Sequence, residues 1–139
     1  MIFPFFIVAD EFYERRIKIL KIEQLRAVRG PNYSHSKPLI FMEVNLEELE
    51  TVPTSSVEGL RENIEKMIPS LVKHTCSPGV EGGFFQRVER GTWAGHVIEH
   101  VALELQNLSG HHVTYGKTYT LSQKAHYYIV FRYLDERVG

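Results

Sequence analysis

The chain has 139 residues, 43% hydrophobic and 24% charged, with sixteen Lys+Arg against seventeen Asp+Glu and a net charge of −1. That balance fits one folded globular domain and excludes a disordered chain, and near-neutrality removes any general pull toward nucleic acid or an anionic membrane. Cys76 is the single cysteine, so an intrachain disulfide is excluded and the expected setting is the reduced cytoplasm.

The N-terminus, MIFPFFIVADEFYERR, has a short apolar run but neither a basic leader nor an A-x-A-like cleavage site, so it is not read as a signal peptide. The run falls well short of the roughly 20 apolar residues that a membrane helix needs. Residues 1–17 are expected to form an N-terminal extension to a domain spanning 18–139. Within that domain, Lys18 to Arg26 (KILKIEQLR) reads as a strand closed by the turn signal RGPN at Arg29 to Asn32. Pro38 to Leu46 (PLIFMEVNL) is a second β-rich run, and the acidic EELE after it reads as a solvated turn or a short helical start. VPTSS, Val52 to Ser56, breaks the pattern.

From Val57 to Val72, apolar Leu60, Ile64, Met67, Ile68 and Leu71 recur at helical steps, with Pro69 as an end or a kink. Cys76 to Gly83 (CSPGVEGG) predicts a loop with unusual backbone dihedrals. Phe84 to Arg90 reads as a short helical turn. Thr92 is the expected N-cap of a helix over residues 93–108, and Gly110 its stop. His112 to Thr120 and His126 to Leu134 read as two closing strands. The order β-β-α-α-β-β predicts an α+β fold: an antiparallel sheet of about four strands covered by two main helices, not a doubly wound parallel sheet.

The helix over 93–108 carries the pattern H-x-x-E-H at His96, Glu99 and His100. On a wheel of about 100° per residue, Ala94, Val97, Ile98, Val101, Ala102, Leu105 and Leu108 share an arc of roughly 140°, the expected core-facing stripe. His96 lies opposite, with Glu99 about 60° to one side and His100 about 40° to the other, so the three project from one patch. An ordinary solvated helix face is the plain alternative. Trp93 and Leu103 fall in the same sector, however, and point to a patch that something covers.

Two imidazoles at i and i+4 can share a Zn2+ or another divalent metal, and an adjacent carboxylate can take a proton from a water that the cation acidifies. This is the inverzincin arrangement. A catalytic zinc takes three protein ligands. Cys76 is the better outside candidate, with His74 and Glu81 as rivals, although a lone cysteine is also a common small core residue. Glu104 sits about 12 Å of helix rise from His96, too far to chelate the same ion, and is placed as a partner of His100.

Four stretches, KILKIEQLRAVRGPNY, SLVKHTCSPGVEGGFFQRVERGTWAGHVIEHVALELQ, the YGKT turn and YYIVFRYLDE, resemble the N-terminal domain of cyanophycin synthetases from Lys18 to about Glu136. The resemblance implies part of an enzyme that makes cyanophycin, a poly-aspartate carrying arginine on each side chain. It also implies two ATP-dependent ligase modules downstream. No G-x-x-x-x-G-K-[ST] occurs here, and the length leaves no room for either module, so the expectation is an excised domain or a stand-alone relative.

In that family the domain is associated with holding the polymer, and in many members with a metallopeptidase-like site that cuts it into primers. Carried over, His96 and His100 would be metal ligands and Glu99 the general base. Three departures stand out: Gly116-Lys117-Thr118 replaces the frequent GRT, residues 1–17 have no counterpart, and RAVRGPN carries extra residues. Polymer carboxylates would meet Arg87, Arg90 and Lys117, and polymer guanidinium groups would meet Glu81, Glu89 and Glu104. The expected partners are therefore cyanophycin and the ligase domains, with no nucleic acid or membrane. Two other readings stay open: a non-catalytic polymer-binding module and a structural domain mediating homo-oligomer contacts.

Overall fold

The computed structural model describes residues 20–29 and 37–139. The extension expected over 1–17, the opening of the first strand and most of the RGPN turn lie outside the described residues. Strands β1 (Lys21–Val28), β2 (Leu39–Asn45), β3 (Gly116–Thr120) and β4 (His126–Arg132) form one sheet in the order β1-β2-β4-β3, every neighbouring pair antiparallel. Helices α1 (Leu60–Met67), α2 (Gly83–Arg90) and α3 (Ala94–Leu108) lie between the two hairpins in sequence. This is the expected α+β architecture with one helix more. Among the described residues no helix is long and apolar enough to cross a membrane.

The sheet buries one face with the two-residue period of a strand. Ile40, Met42 and Val44 of β2 stand opposite Phe131, Ile129 and Tyr127 of β4, and all six are buried. Ala94, Ile98, Ala102 and Leu103 of α3 close over them. A second cluster, Leu71, Phe84, Phe85 and Val88, gathers Leu60, Ile64 and Ile68 from one side and Val97 and Val101 of α3 from the other. Helix α3 is thus the wall between two cores. Each fully buried Leu, Ile, Val or Phe in them stabilises the fold by about 1.5–3 kcal/mol relative to exposure.

Proline explains why the helix expected over 57–72 is broken. Residue 69 has no N–H to give, and its ring disfavours helical dihedrals at the residue before it. Ile68 accordingly sits at φ −136°, ψ 74°, and the chain continues as a 3-10 turn over Pro69–Lys73. The break drops Leu71 into the second cluster and sends the next residues across α3. The expected turn at 84–90 is a full helix, because Phe84, Phe85 and Val88 all find cover in that cluster. The third strand starts late, at Gly116. Before it, the Val113 N–H donates to Asn107 Oδ1 at 2.8 Å, which ties the segment to the end of α3, and the Tyr115 carbonyl then meets the sheet by accepting from the Arg132 N–H at 2.9 Å.

The core-facing stripe assigned to α3 needs correction. Leu105 and Leu108 are 51% and 61% exposed, whereas Glu99, His100, Leu103, Glu104 and Gln106 are buried. A helix packed on two sides distributes its apolar residues between both cores, so the simple wheel has no single inner face. Glycines set the distance between helix and strand: a Cβ on Gly95 would lie 3.2 Å from Thr118 Cγ2, and one on Gly116 only 2.8 Å from Glu99 Cγ and 3.0 Å from Leu103 Cδ1.

Two denaturation experiments check this packing. Leu103→Ala should lose about 2–5 kcal/mol of stability and Leu105→Ala less than about 1 kcal/mol; the reverse order in urea titrations would restore the wheel's version. Gly116→Ala should cost about 1–3 kcal/mol through overpacking against Glu99 and Leu103, and a parent-like urea midpoint would contradict the close approach.

Candidate metal centre

The loop after the 3-10 turn is pinned to the start of α2. The Gly82 N–H donates to Val72 O at 2.6 Å and the Phe84 N–H to His74 O at 3.1 Å. A Cβ on Gly83 would overlap the Thr75 carbonyl oxygen, so only glycine allows the loop this close. The unusual dihedrals expected here are present: Gly79 and Gly82 have φ 71° and 82°, and Cys76 itself has φ 51°. A non-glycine residue in that region stores on the order of 1 kcal/mol or more of strain. The result is that Cys76 Sγ reaches 3.2 Å from His96 Nε2.

Cys76, His96 and His100 each offer a ligand atom, and these atoms all lie within 4.8 Å of one another. One thiol and two imidazoles are a donor set that suits zinc, and with three donors a fourth position stays open. The other ring nitrogens are engaged. His96 Nδ1 is 3.0 Å from Thr92 Oγ1, and His100 Nδ1 is 2.8 Å from His74 Nδ1. Thr92 is therefore not the side-chain cap expected of it; Trp93 occupies the N-cap, with no side-chain cap hydrogen bond. The buried ring of Phe84 backs the group, its centroid 4.5 Å from that of His100 and 6.2 Å from that of His96.

Burial governs the protons. It pushes the His100 pKa down to about 3, with His96 and His74 adding repulsion, and it lowers that of His96, helped by the Arg87 guanidinium. Both rings are then neutral near pH 7 and keep lone pairs for a cation. Burial raises the Glu99 pKa against the opposing effect of Thr118, whose hydroxyl donates to Glu99 Oε2 at 2.6 Å. For Glu104 burial alone would raise the pKa, but the neighbouring Ser70, His74 and Asn107 outweigh it, and the carboxyl lies below its usual range.

A cavity of about 760 Å3 opens over this group, lined by Cys76, His96, Glu99, His100, Glu104 and Gly116 among others. The structure brings together His96, Glu99, His100 and Cys76. His74 and Glu104 join them as neighbours with their own hydrogen bonds, His74 Nε2 lying 2.8 Å from Glu104 Oε2. Glu81 is exposed and does not line the cavity. Arg87 lies close enough to influence His96, Arg90 is exposed on α2, and Glu89 pairs with Arg61 at 2.9 Å. Lys117 alternates with Thr118, so it lies on the sheet face away from α3, its ammonium 5.2 Å from the Tyr119 ring. Lys73 and His112 do line the cavity.

Thr92, Phe84, Thr118 and the Lys73/His112 rim were not read as site residues from the sequence. Thr92 carried a local signal, standing four residues before His96 and next to the helix start. Thr118 and Phe84 carried none, because their partners are 19 and 16 residues away and meet only through the tertiary fold.

Comparison with known proteins supplies the kinship. The family model of the Cyanophycin synthase-like N-terminal domain matches residues 41–139. Cyanophycin synthetases of Synechocystis sp. and Trichormus variabilis are both 45% identical to the chain, over 122 and 125 residues, and that of Crocosphaera subtropica is 43% identical over 122. The matches cover 86–88% of this chain and 14% of each relative, so the chain spans about one seventh of their length. The motif blocks around Cys76 and His96 thus have the kinship their pattern implied: the chain belongs to the Cyanophycin synthase-like N-terminal domain family.

Proposed function

We propose that this domain is a metal-dependent hydrolase that cuts the backbone of cyanophycin into primers, which ATP-dependent ligase domains of a longer synthetase then extend. The polymer is carried over from the relatives' name, cyanophycin synthetase, and the chemistry from the site. The observation that supports the reading most is the placement of Glu99, buried in the wall of the same cavity as the two imidazoles that share one ligand cluster with Cys76.

When bound to Cys76, His96 and His100, a divalent cation such as Zn2+ would polarise a substrate carbonyl and make a water more acidic. Glu99 does the proton work. Thr118 holds its Oε2, which leaves Oε1 to take a proton from the attacking water. Its raised pKa then suits it to return that proton to the departing amide nitrogen. Lys73 at the cavity would meet carboxylates of the polymer's arginines, with His112 beside the same opening as a hydrogen-bonding group. Arg87, Arg90 and Lys117 would serve only where the polymer runs beyond the cavity. Glu104, with its carboxylate turned to His74 and Asn107, is better placed to support the histidines than to bind a guanidinium group.

A second reading keeps the polymer and drops the chemistry: the domain grips cyanophycin for the ligase domains. It draws on Lys117, where a point charge stands in place of the two-pronged guanidinium of GRT.

Incubation with cyanophycin separates the two. The zinc-loaded chain should shorten the polymer, a chelator should stop it, and Glu99→Gln should slow it by about 10²-fold or more while retaining the metal. Cleavage by Glu99→Gln at the parent rate would refute the proposed base, and bound but uncut polymer with the parent chain would leave the passive module.

A further inference from the structure

His74 links the loop that carries Cys76 to helix α3, and both of its ring nitrogens are committed. Nε2 lies 2.8 Å from Glu104 Oε2 and Nδ1 2.8 Å from His100 Nδ1. The His74 and Glu104 side chains are only 13% and 8% exposed. His100 and Glu104 stand four residues apart on one face of α3, and His74 enters from another segment to fill the space between them.

The inventory of donors and acceptors orders the protons along this line. An ionised carboxylate only accepts, so His74 donates from Nε2. A ring that donates from Nε2 can accept on Nδ1, and the short contact to His100 is then made by a proton on His100 Nδ1. The lone pair of His100 is then on Nε2, the nitrogen left for the cluster with Cys76 and His96. Asn107 Nδ2, 3.3 Å from the same Glu104 oxygen, helps to hold the start of the line.

We infer that His74 and Glu104 are positioning residues that fix the tautomer and orientation of His100, so that a divalent cation meets a ready-made nitrogen. The inference rests on the metal reading given under Proposed function. The pair makes His100 a stronger donor through the carboxylate's charge, passed on by one polarised imidazole. A purely structural role is the weaker explanation, since a buried carboxylate with two imidazoles is a poor source of stability compared with apolar packing. His96 has the simpler counterpart, a single hydroxyl from Thr92.

The test reads metal affinity and proton position, not turnover. Competition with a chromophoric chelator should show that His74→Phe, which keeps a ring beside Phe84, weakens Zn2+ binding about 10- to 100-fold. Glu104→Gln, the same shape without the charge, should weaken it less. Zinc affinity within twofold of the parent in both variants would overturn the inference and leave the metal site standing. In the metal-free parent, imidazole 15N shifts should report Nδ1–H on His100 and Nε2–H on His74. Nε2–H on His100 would overturn it whether or not the variants fold. A parent chain that binds no zinc, yet shows the expected tautomers, would instead remove the metal reading.

Discussion

Helix α3 has to satisfy two hydrophobic cores at once, and this constraint decides where the candidate metal centre lies. The sheet takes Ala94, Ile98 and Ala102, and the α2 cluster takes Val97 and Val101. One strip of helix surface remains, and it carries His96, Glu99, His100 and Glu104. Because the flanking layers rise on both sides, the strip becomes the floor of a cleft and not an outer surface. Partial burial follows from the packing, and with it neutral imidazoles and a carboxyl of raised pKa.

What completes the site comes from elsewhere in the chain, and each contribution depends on a backbone feature. Pro69 ends the helical path, which frees the chain to cross α3. Gly82 and Gly83 let the crossing loop sit on the start of α2, bringing Cys76 to His96 and His74 to His100. Gly116 lets β3 approach until Thr118 reaches Glu99. At Gly83 two backbone segments come into contact, at Gly116 a backbone meets the Glu99 side chain, and Gly82 supplies a positive φ. The left-handed conformation of Cys76 fits the same pattern, with strain held at a residue whose sulfur reaches 3.2 Å from His96 Nε2.

Much of this was legible in the sequence. The β-branched and aromatic content of PLIFMEVNL and HYYIVFRYL gave the central strands, and the hairpins at either end gave an antiparallel sheet. The glycine-rich loop was readable as unusual backbone because few other residues reach those dihedrals. H-x-x-E-H placed three side chains on one patch because helical geometry is local. The burial of Leu105 was misjudged because a wheel assumes one inner face, and α3 has two. The segment of α2 was read as a helical turn over almost the same residues and not as a helix in its own right, since Phe84 and Phe85 are held by tertiary cover and not by helical propensity. His74 as the link between Glu104 and His100 had no sequence signal: the contacts span 26 and 30 residues and exist only once the loop is folded over α3.

The central claim is that Cys76, His96 and His100 hold one divalent cation beside Glu99. Diffraction from zinc-soaked crystals at the zinc absorption edge tests it directly. The account predicts a single strong anomalous peak about 2.0–2.1 Å from a ring nitrogen of each histidine and about 2.3 Å from the Cys76 sulfur. No peak in the cleft, or a peak whose protein ligands exclude His96 and His100, would contradict it.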